Sequence, residues 1–136
     1  MQNKIFIDSN IWLYLFLQDD KEKYKIIEEY LINNKNSIFI ITYQVINEVA
    51  NILLKNNFSE FEIRENIEYL FKVCTLQDFT KEIVINASSI REKYSLSFWD
   101  SIIIASALFA RCDMLVSEDM QDGLIIDNKL LIKNIF

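Results

Sequence analysis

The feature that most constrains the fold is an alternation between short apolar runs and longer segments with helical periodicity. Runs rich in β-branched and aromatic residues begin with KIFI at Lys4–Ile7 and SIFII at Ser37–Ile41, and such runs are typical of strands buried in a parallel sheet. Similar runs follow as KVCTL from Lys72, MLVS from Met114 and LIID from Leu124. Strands that alternate with helices predict an α/β fold, with a mainly parallel sheet of five strands and helices on both faces.

The helical patterns and the size of the chain indicate a single domain across residues 1–136. The predicted helices cover, to within a few residues, Asp20–Asn34, Gln44–Lys55, Glu60–Phe71, Lys81–Tyr94 and Phe98–Arg111, with a further helix beginning near Ile11. A chain of 136 residues with 51% hydrophobic residues can bury one core. The longest apolar runs are far shorter than the ~20 residues that cross a bilayer, and no leader pattern is present. We therefore expect a cytoplasmic protein that does not contact a membrane.

Four acidic residues from distant segments are predicted to meet at one edge of the sheet. Asp8 follows the first strand and Asp119 follows the fourth. Glu48 lies in the second turn of a helix that begins shortly after the strand ending at Ile41. The helix of Asp100 is joined to the next strand by a short link, so it runs antiparallel to that strand and begins at the strand's carboxyl end. Open α/β sheets bind ligands at this edge.

The helix that carries Asp100 strengthens this expectation. The segment SFWDSIIIASA is apolar on almost every side and predicts a buried helix. A carboxylate close to such a core costs several kcal/mol unless a cation or strong hydrogen bonds accompany it, and the helix N-terminus returns only about 1 kcal/mol. A divalent cation would offset both this cost and the repulsion among four carboxylates. Because the four acids supply only oxygen ligands, the candidates are magnesium or manganese, and not zinc.

Each of the four acids also has an ordinary structural explanation. Asp8 would cap the helix that follows it, and Ser97 with Asp100 would form a capping box. Glu48 borders a polar helix stripe, and Asp119 lies in an acidic stretch that would suit a surface turn. The convergence of the four acids, rather than any one of them, favours a functional site.

Two absences and the net charge narrow the chemistry. The chain has no histidine, which excludes Ser-His and Cys-His nucleophile pairs and histidine metal sites. It has one glycine, which excludes glycine-rich phosphate loops. A net charge of -6 argues against a simple basic clamp on nucleic acid. Four of the 20 acidic residues would belong to the site, so the remaining surface is only mildly acidic.

Four motifs in order along the chain resemble those of a known family. They are FIDSN at Asp8, VINEV at Glu48, SFWDSIIIASA at Asp100 and LVSEDMQDG at Asp119. Together they resemble the PIN domain family, specifically the VapC-type toxins of toxin–antitoxin pairs, over the whole length of the chain. One departure is visible, because Tyr43 and Gln44 stand where the family commonly has a proline before the glutamate helix.

The resemblance implies a three-layer α/β/α sandwich and a magnesium-dependent endoribonuclease. The acids Asp8, Glu48, Asp100 and Asp119 would bind the metal, with one or two ions activating a water for attack on the phosphate. Asn10 and Ser117 match supporting polar positions, and Asp122 would add an outer acid.

The resemblance also implies partners. These are an RNA substrate, either a transfer RNA or a ribosomal RNA loop, a second copy of the chain in a homodimer, and a cognate VapB-type antitoxin that blocks the site. An antitoxin arginine would neutralise the carboxylates in place of a metal. The aromatic candidates for such contacts are Trp12, Tyr14, Tyr24, Tyr30, Phe58 and Phe61.

Two other functions compete with this interpretation. An aspartyl-phosphate phosphatase would use Asp8 as its nucleophile, although Asn10 stands where that chemistry usually has a second aspartate. A catalytically inactive PIN-like interaction module would use its acidic edge only to bind a basic segment of a partner.

Overall fold

A computed structural model describes residues 2–136. Within this range six strands and six helices follow one another in the order β1 (Lys4–Ile7), α1 (Ser9–Leu17), α2 (Lys21–Asn33), β2 (Ile38–Ile41), α3 (Tyr43–Lys55), α4 (Glu60–Val73), β3 (Cys74–Leu76), α5 (Lys81–Tyr94), α6 (Phe98–Phe109), β4 (Met114–Val116), β5 (Ile125–Ile126) and β6 (Leu130–Lys133). This order confirms the α/β fold class.

One sheet contains all six strands, in the order β3-β2-β1-β4-β6-β5. The first five of these strands are mutually parallel, and β5 alone pairs antiparallel, with β6. Phe6 of β1 pairs with Ile40 on one side and with Leu115 on the other, and Leu115 pairs in turn with Ile132. The central strands are hydrophobic on both faces because both faces are covered by helices.

The helices form two layers on opposite faces of the sheet. From β1 the chain moves to β2 and then to β3 in one direction across the sheet, and from β3 it returns to β4 in the other direction. Because parallel crossovers are right-handed, α1 to α4 lie on one face and α5 and α6 lie on the other. The helix contacts agree: α1 packs on α2 and α3, α3 packs on α4, and α5 packs on α6. The three-layer α/β/α sandwich is therefore confirmed.

Polar caps set where the helices begin, since the chain has no proline. Ser59 forms a capping box with Glu62 at the start of α4, and the Thr80 hydroxyl accepts a hydrogen bond from the Ile83 amide at the start of α5. Each such cap satisfies one of the amide groups that the first helical turn leaves unpaired. The first helix begins at Ser9, two residues before the expected Ile11.

The sixth strand, β6, was not predicted from the sequence. Only Ile125–Ile126 of the expected LIID strand pairs in the sheet, and it forms a hairpin with β6. Asp127 and Asn128 in the connection both have positive φ, 50° and 56°. The Lys129 amide closes the turn on the Ile126 carbonyl at 2.9 Å. This is the backbone of a two-residue hairpin turn, which favours Asn and Asp, so the pair DN between two apolar runs was the available signal.

No helix among residues 2–136 is both long enough and apolar enough to cross a membrane.

Candidate active site

The candidate site lies where the direction of the chain across the sheet reverses. Asp8 comes directly after β1, and Ser117 comes directly after the neighbouring strand β4. The Asp8 amide donates to the Val116 carbonyl at 2.9 Å, which fixes the two strand ends together. From β1 the chain continues to β2 on one side, while β4 lies on the other, and ligands of open α/β sheets bind at such a switch point.

Asp8 is the buried acid of the site. Its exposed fraction is 5%. Its Oδ1 accepts a hydrogen bond from the Ser9 amide at 2.7 Å, and its Oδ2 accepts one from the Ser117 hydroxyl at 2.9 Å. Burial raises the pKa of Asp8 to about 6, because the charged form loses its hydration; the two hydrogen bonds oppose this rise, and the negative charges of Glu48 and Asp100 add to it. The carboxylates of Glu48 and Asp100 are therefore near enough to Asp8 to raise its pKa.

Glu48 projects from α3 toward the start of α1. Its Oε2 accepts a hydrogen bond from the Ser9 hydroxyl at 2.6 Å, and its Oε1 accepts one from the Gln44 side-chain amide at 2.9 Å. Ser9 thus contacts Asp8 through its amide and Glu48 through its hydroxyl. The sequence gave no signal for the bond from Ser9 to Glu48.

Asn10 and Ser117 hold Asp119 in the site. The Asn10 side-chain amide donates to Asp119 Oδ2 at 3.0 Å, and Asn10 Oδ1 accepts from the Glu118 amide at 3.3 Å. The Ser117 hydroxyl accepts from the Asp119 amide at 3.3 Å while it donates to Asp8. Asp8, Ser117, Asn10 and Asp119 therefore belong to one hydrogen-bonded network.

The sequence predicted that Asp100 would be a buried carboxylate with a high desolvation cost, and the structure differs from this prediction. Asp100 is the third residue of α6 and is half-buried, and the fully buried part of the helix begins only at Ser101. The Ser97 hydroxyl accepts a hydrogen bond from the Asp100 amide at 3.2 Å, which is one half of the suggested capping box. The first turn of α6 projects beyond the core, so the desolvation cost falls on Asp8 instead.

Asp122 lies on the exposed turn that follows Asp119. Its Oδ1 accepts a hydrogen bond from the Asn134 amide at 2.8 Å. This bond joins the turn to the segment after β6, so in this structure Asp122 fixes the backbone rather than extending the network around Asp8.

The charge and chemistry of the four acids fit a divalent cation. Among residues 2–136 the ion pairs are Lys23 with Glu118 and Lys93 with Asp127, so no basic side chain neutralises Asp8, Glu48, Asp100 or Asp119. Only carboxylate, hydroxyl and amide oxygens are available, which are ligands that magnesium and manganese accept. As the side chains stand, no three acidic or cysteine residues of this range are close enough to enclose a metal ion. For the four acids to bind a metal ion together, their side chains would have to rotate. This applies above all to Glu48 and Asp119, which are hydrogen-bonded to neighbouring residues.

A cavity of about 640 Å³ adjoins Glu48 and is lined by aromatic and amide side chains. Its lining residues are Tyr43, Gln44, Asn47, Glu48, Phe79 and Trp99. None of the three aromatic residues was among those expected from the sequence to be exposed for contacts. Trp12, which was, is fully buried, and its Nε1 donates to the Ile7 carbonyl.

A carboxylate cluster at the switch point of a three-layer α/β/α sandwich is the arrangement expected of a PIN domain. The family model of the PIN domain matches residues 5–121, and the chain belongs to this family. The resemblance stated from the sequence motifs is thereby confirmed.

Individual proteins are similar to this chain over most of its length. The chain is 28% identical to "Ribonuclease VapC6" of Methanocaldococcus jannaschii, over 86% of this chain and 89% of the relative. VapBC from Salmonella typhimurium, solved bound to DNA, has a TM-score of 0.72 at 17% identity and covers 99% of this chain and 100% of its own. Mycobacterium tuberculosis VapC20, described as a Sarcin-Ricin loop cleaving toxin, has a TM-score of 0.65 at 16% identity over 82% and 86% of the two chains. At these identities the solved structures support the fold.

Proposed function

We propose that this chain is a magnesium-dependent endoribonuclease and the toxin of a toxin–antitoxin pair. It acts as a single domain in the cytoplasm and cleaves a structured RNA. The observation that carries the proposal is the burial of Asp8 against two other carboxylates with no basic side chain beside it. Such an arrangement is costly in a protein that never binds a cation there. The names of two similar proteins, a ribonuclease and a Sarcin-Ricin loop cleaving toxin, support the same reaction.

Asp8, Glu48, Asp100 and Asp119 are the proposed metal-binding and catalytic residues. A bound magnesium ion would lower the pKa of a water molecule and stabilise the charge that develops on the phosphate. Because the four acids come from four separate segments, a metal site shared by all of them would be formed by the fold rather than by a local motif. The absence of histidine is compatible with this chemistry, which draws on carboxylates alone.

The supporting residues fix the orientation of the acids. Ser117 and the Ser9 amide each bond one oxygen of Asp8, so this carboxylate cannot rotate. Ser9 and Gln44 likewise each donate one side-chain hydrogen bond to an oxygen of Glu48. Catalytic groups held by packing and by neighbouring hydrogen bonds lose little entropy when substrate binds.

A VapB-type antitoxin and a second copy of the chain are the proposed partners. Two of the similar solved structures are VapBC complexes. An antitoxin arginine that enters the acid cluster would form bidentate pairs with the carboxylates and take the place of the metal.

The competing phosphatase function has less structural support. A nucleophilic aspartate needs an oxygen free for attack, whereas both oxygens of Asp8 accept hydrogen bonds and the residue is buried. Asn10, at the position where a second acid would serve, is bonded to Asp119. Beryllium fluoride that became trapped on Asp8 would favour the phosphatase over the nuclease.

The test of the proposal is RNA cleavage by the Asp100→Asn variant. Wild-type protein should cleave total RNA at discrete sites when magnesium is added, and Asp100→Asn should lose at least about 100-fold of the rate, as expected when a metal-binding catalytic acid is removed. Asp19→Asn is the matched control, because Asp19 is an exposed acid beyond the far end of α1 from Asp8. Undiminished cleavage by Asp100→Asn would reject the assignment. Weak or absent magnesium binding by the wild-type protein would favour the inactive interaction module.

A further inference from the structure

We propose that the cavity beside Glu48 binds one unpaired nucleobase of the RNA, next to the phosphate that is cleaved. The aromatic pocket, as we call it, is the cavity lined by Tyr43, Gln44, Asn47, Glu48, Phe79 and Trp99. This inference rests on the proposed ribonuclease function and adds to it a subsite that selects single-stranded RNA.

The first observation is the exposure of three aromatic rings around one cavity. Trp99 is 62% exposed, Tyr43 is 47% exposed and Phe79 is 46% exposed. Tyr43 begins α3 on one face of the sheet, Trp99 lies in the first turn of α6 on the other face, and Phe79 lies in the loop between β3 and α5. Single exposed aromatic residues are common, but rings gathered from three elements into one cavity mark a binding surface.

The second observation is that the aromatic pocket is continuous with the acids. Glu48 lines the pocket and also accepts the hydrogen bond from Ser9 at the start of α1. Trp99 directly precedes Asp100. A base is joined to its phosphate through a single sugar, so a nucleotide whose phosphate lies at the acids has its base within reach of the pocket.

The third observation is the chemistry of the lining. Among residues 2–136, aromatic rings, two side-chain amides and one carboxylate form it, and no aliphatic side chain contributes. Unpaired bases stack on aromatic side chains and form hydrogen bonds with their edges. A docked amphipathic helix would instead lay its apolar face into a hydrophobic groove, whereas three of the six lining side chains carry an amide or a carboxylate. A nucleobase is therefore the occupant that the lining favours.

The side-chain amide of Gln44 adds an unsatisfied hydrogen-bond acceptor to the aromatic pocket. Its Nε2 donates to Glu48, while its Oε1 is buried and has no hydrogen-bond donor among residues 2–136. A buried acceptor without a partner is costly. When Glu48 turns toward the acids, the Gln44 amide is released to bond the edge of a base.

Binding can be measured apart from cleavage in an Asp8→Asn background. The probes are a labelled single-stranded oligoribonucleotide of about 12 nucleotides and the same sequence in a perfect duplex, chosen because base stacking requires an unpaired strand. Tryptophan fluorescence gives a local signal, since the chain has two tryptophans and Trp12 is fully buried. The single strand should quench Trp99, and the duplex should not.

The fluorescence anisotropy of the labelled strand measures how tightly each variant binds RNA, and this affinity tests the aromatic pocket. Trp99→Ala and Phe79→Ala should each weaken binding of the single strand by about tenfold, as expected for the loss of one stacking partner. Trp99→Phe should keep most of the affinity. Phe61→Ala is the matched control, because Phe61 is also 62% exposed but lies on α4 and outside the pocket, and it should bind as the parent does.

The outcomes separate this inference from the proposed function. Equal single-strand affinity in Trp99→Ala, Phe79→Ala and Phe61→Ala overturns the pocket, even if magnesium-dependent cleavage is intact. Loss of antitoxin binding without loss of RNA affinity in the pocket variants also overturns it, because the surface then belongs to a protein partner. Failure of the wild-type protein to cleave any RNA overturns the proposed function, while the binding measurements still decide whether the pocket accepts a base.

Discussion

At the scale of single residues, Asp8 has the least ordinary environment in the site. It directly follows the central strand β1, its side chain is buried, and its two hydrogen bonds do not offset the loss of hydration. The pKa of Asp8 is therefore raised, and the folded protein holds a proton there more tightly than the unfolded chain does. The stability of the metal-free protein should depend on pH for this reason.

The first prediction concerns the pH dependence of unfolding in the presence of a chelator. The pKa of Asp8 rises from 3.8 to about 6 on folding, so the contribution of Asp8 to stability should fall as the pH rises through this window and stay constant above it. At about 1.4 kcal/mol for each pKa unit, the total is about 3 kcal/mol. Asp8→Asn should be more stable than the wild type at pH 7.5 and lose this advantage below the window. The prediction is contradicted if the difference in the free energy of unfolding between the two proteins does not change with pH.

The second prediction concerns metal binding at the same residues. Magnesium should raise the melting temperature of the wild-type protein by mass action, with about 2.7 kcal/mol gained at 100 times the dissociation constant. Asp100→Asn should gain much less, because it removes one of the proposed ligands, and Asp19→Asn should respond as the wild type does. Thermal unfolding with and without magnesium measures the difference. A melting temperature of the wild type that does not change with magnesium would count against the site.

Part of this site could be read from the sequence, and part could not. Asp8 and Asp119 follow strands, and the ends of parallel strands meet at one edge, so their proximity was predictable. The relative burial of Asp8 and Asp100 was not, because it depends on β1 lying in the middle of the sheet and on the first turn of α6 extending beyond the core. The bond from Ser9 to Glu48 depends on side-chain rotamers, for which the sequence carries no signal.

At the scale of elements, the side chain of Ser97 caps the start of α6. The Ser97 hydroxyl accepts the bond from the Asp100 amide, and the buried part of the helix follows immediately at Ser101. The same cap therefore fixes both the position of Asp100 and the start of an apolar helix.

The third prediction is the effect of Ser97→Ala. Loss of an N-cap costs about 1 kcal/mol, so the free energy of unfolding should fall by that amount. Ser89→Ala is the matched control, since Ser89 is exposed in the interior of α5, where alanine is the better helix former. Chemical denaturation of both variants checks the difference, and an equal effect of the two substitutions would show that Ser97 is not a cap.

Among the helices and strands, too, some were predictable from the sequence and others were not. The helix patterns predicted α2 to α6 within a few residues, because their polar caps and apolar periodicity coincide. Strand β6 was missed, since LLIK is short and follows polar residues, and its place is fixed by pairing with β4 rather than by its own pattern. The positive φ angles of Asp127 and Asn128 identify the connection before β6 as a tight hairpin turn, for which the pair DN was the available sequence signal.

At the scale of the whole molecule, β6 lies outside the segment that the family match covers yet belongs to the core. The match ends at residue 121, whereas Leu130 and Ile132 are fully buried and β6 pairs with β4 beside the site. The Ser117 amide also donates to the Lys133 carbonyl at 3.0 Å. The last strand thus supports the residue that orients Asp8.

The fourth prediction tests this dependence. Ile132→Ala should destabilise the protein by about 2 to 5 kcal/mol, as expected for truncating a fully buried isoleucine. Ile125→Ala, in the neighbouring strand β5, should have a small effect because Ile125 is 55% exposed. Denaturant titration of the two variants gives the comparison, and similar losses would mean that β6 does not belong to the cooperative core.

The edges of the sheet limit how copies of this chain can associate. Three residues, Cys74–Leu76, form the strand at one margin, and two, Ile125–Ile126, form the strand at the other. Margins this brief offer few amide and carbonyl groups to an incoming strand, a device by which natural proteins resist sheet extension and fibre growth. Assembly with another polypeptide should therefore use side chains on helical surfaces, and intermolecular strand pairing should be absent even at high concentration.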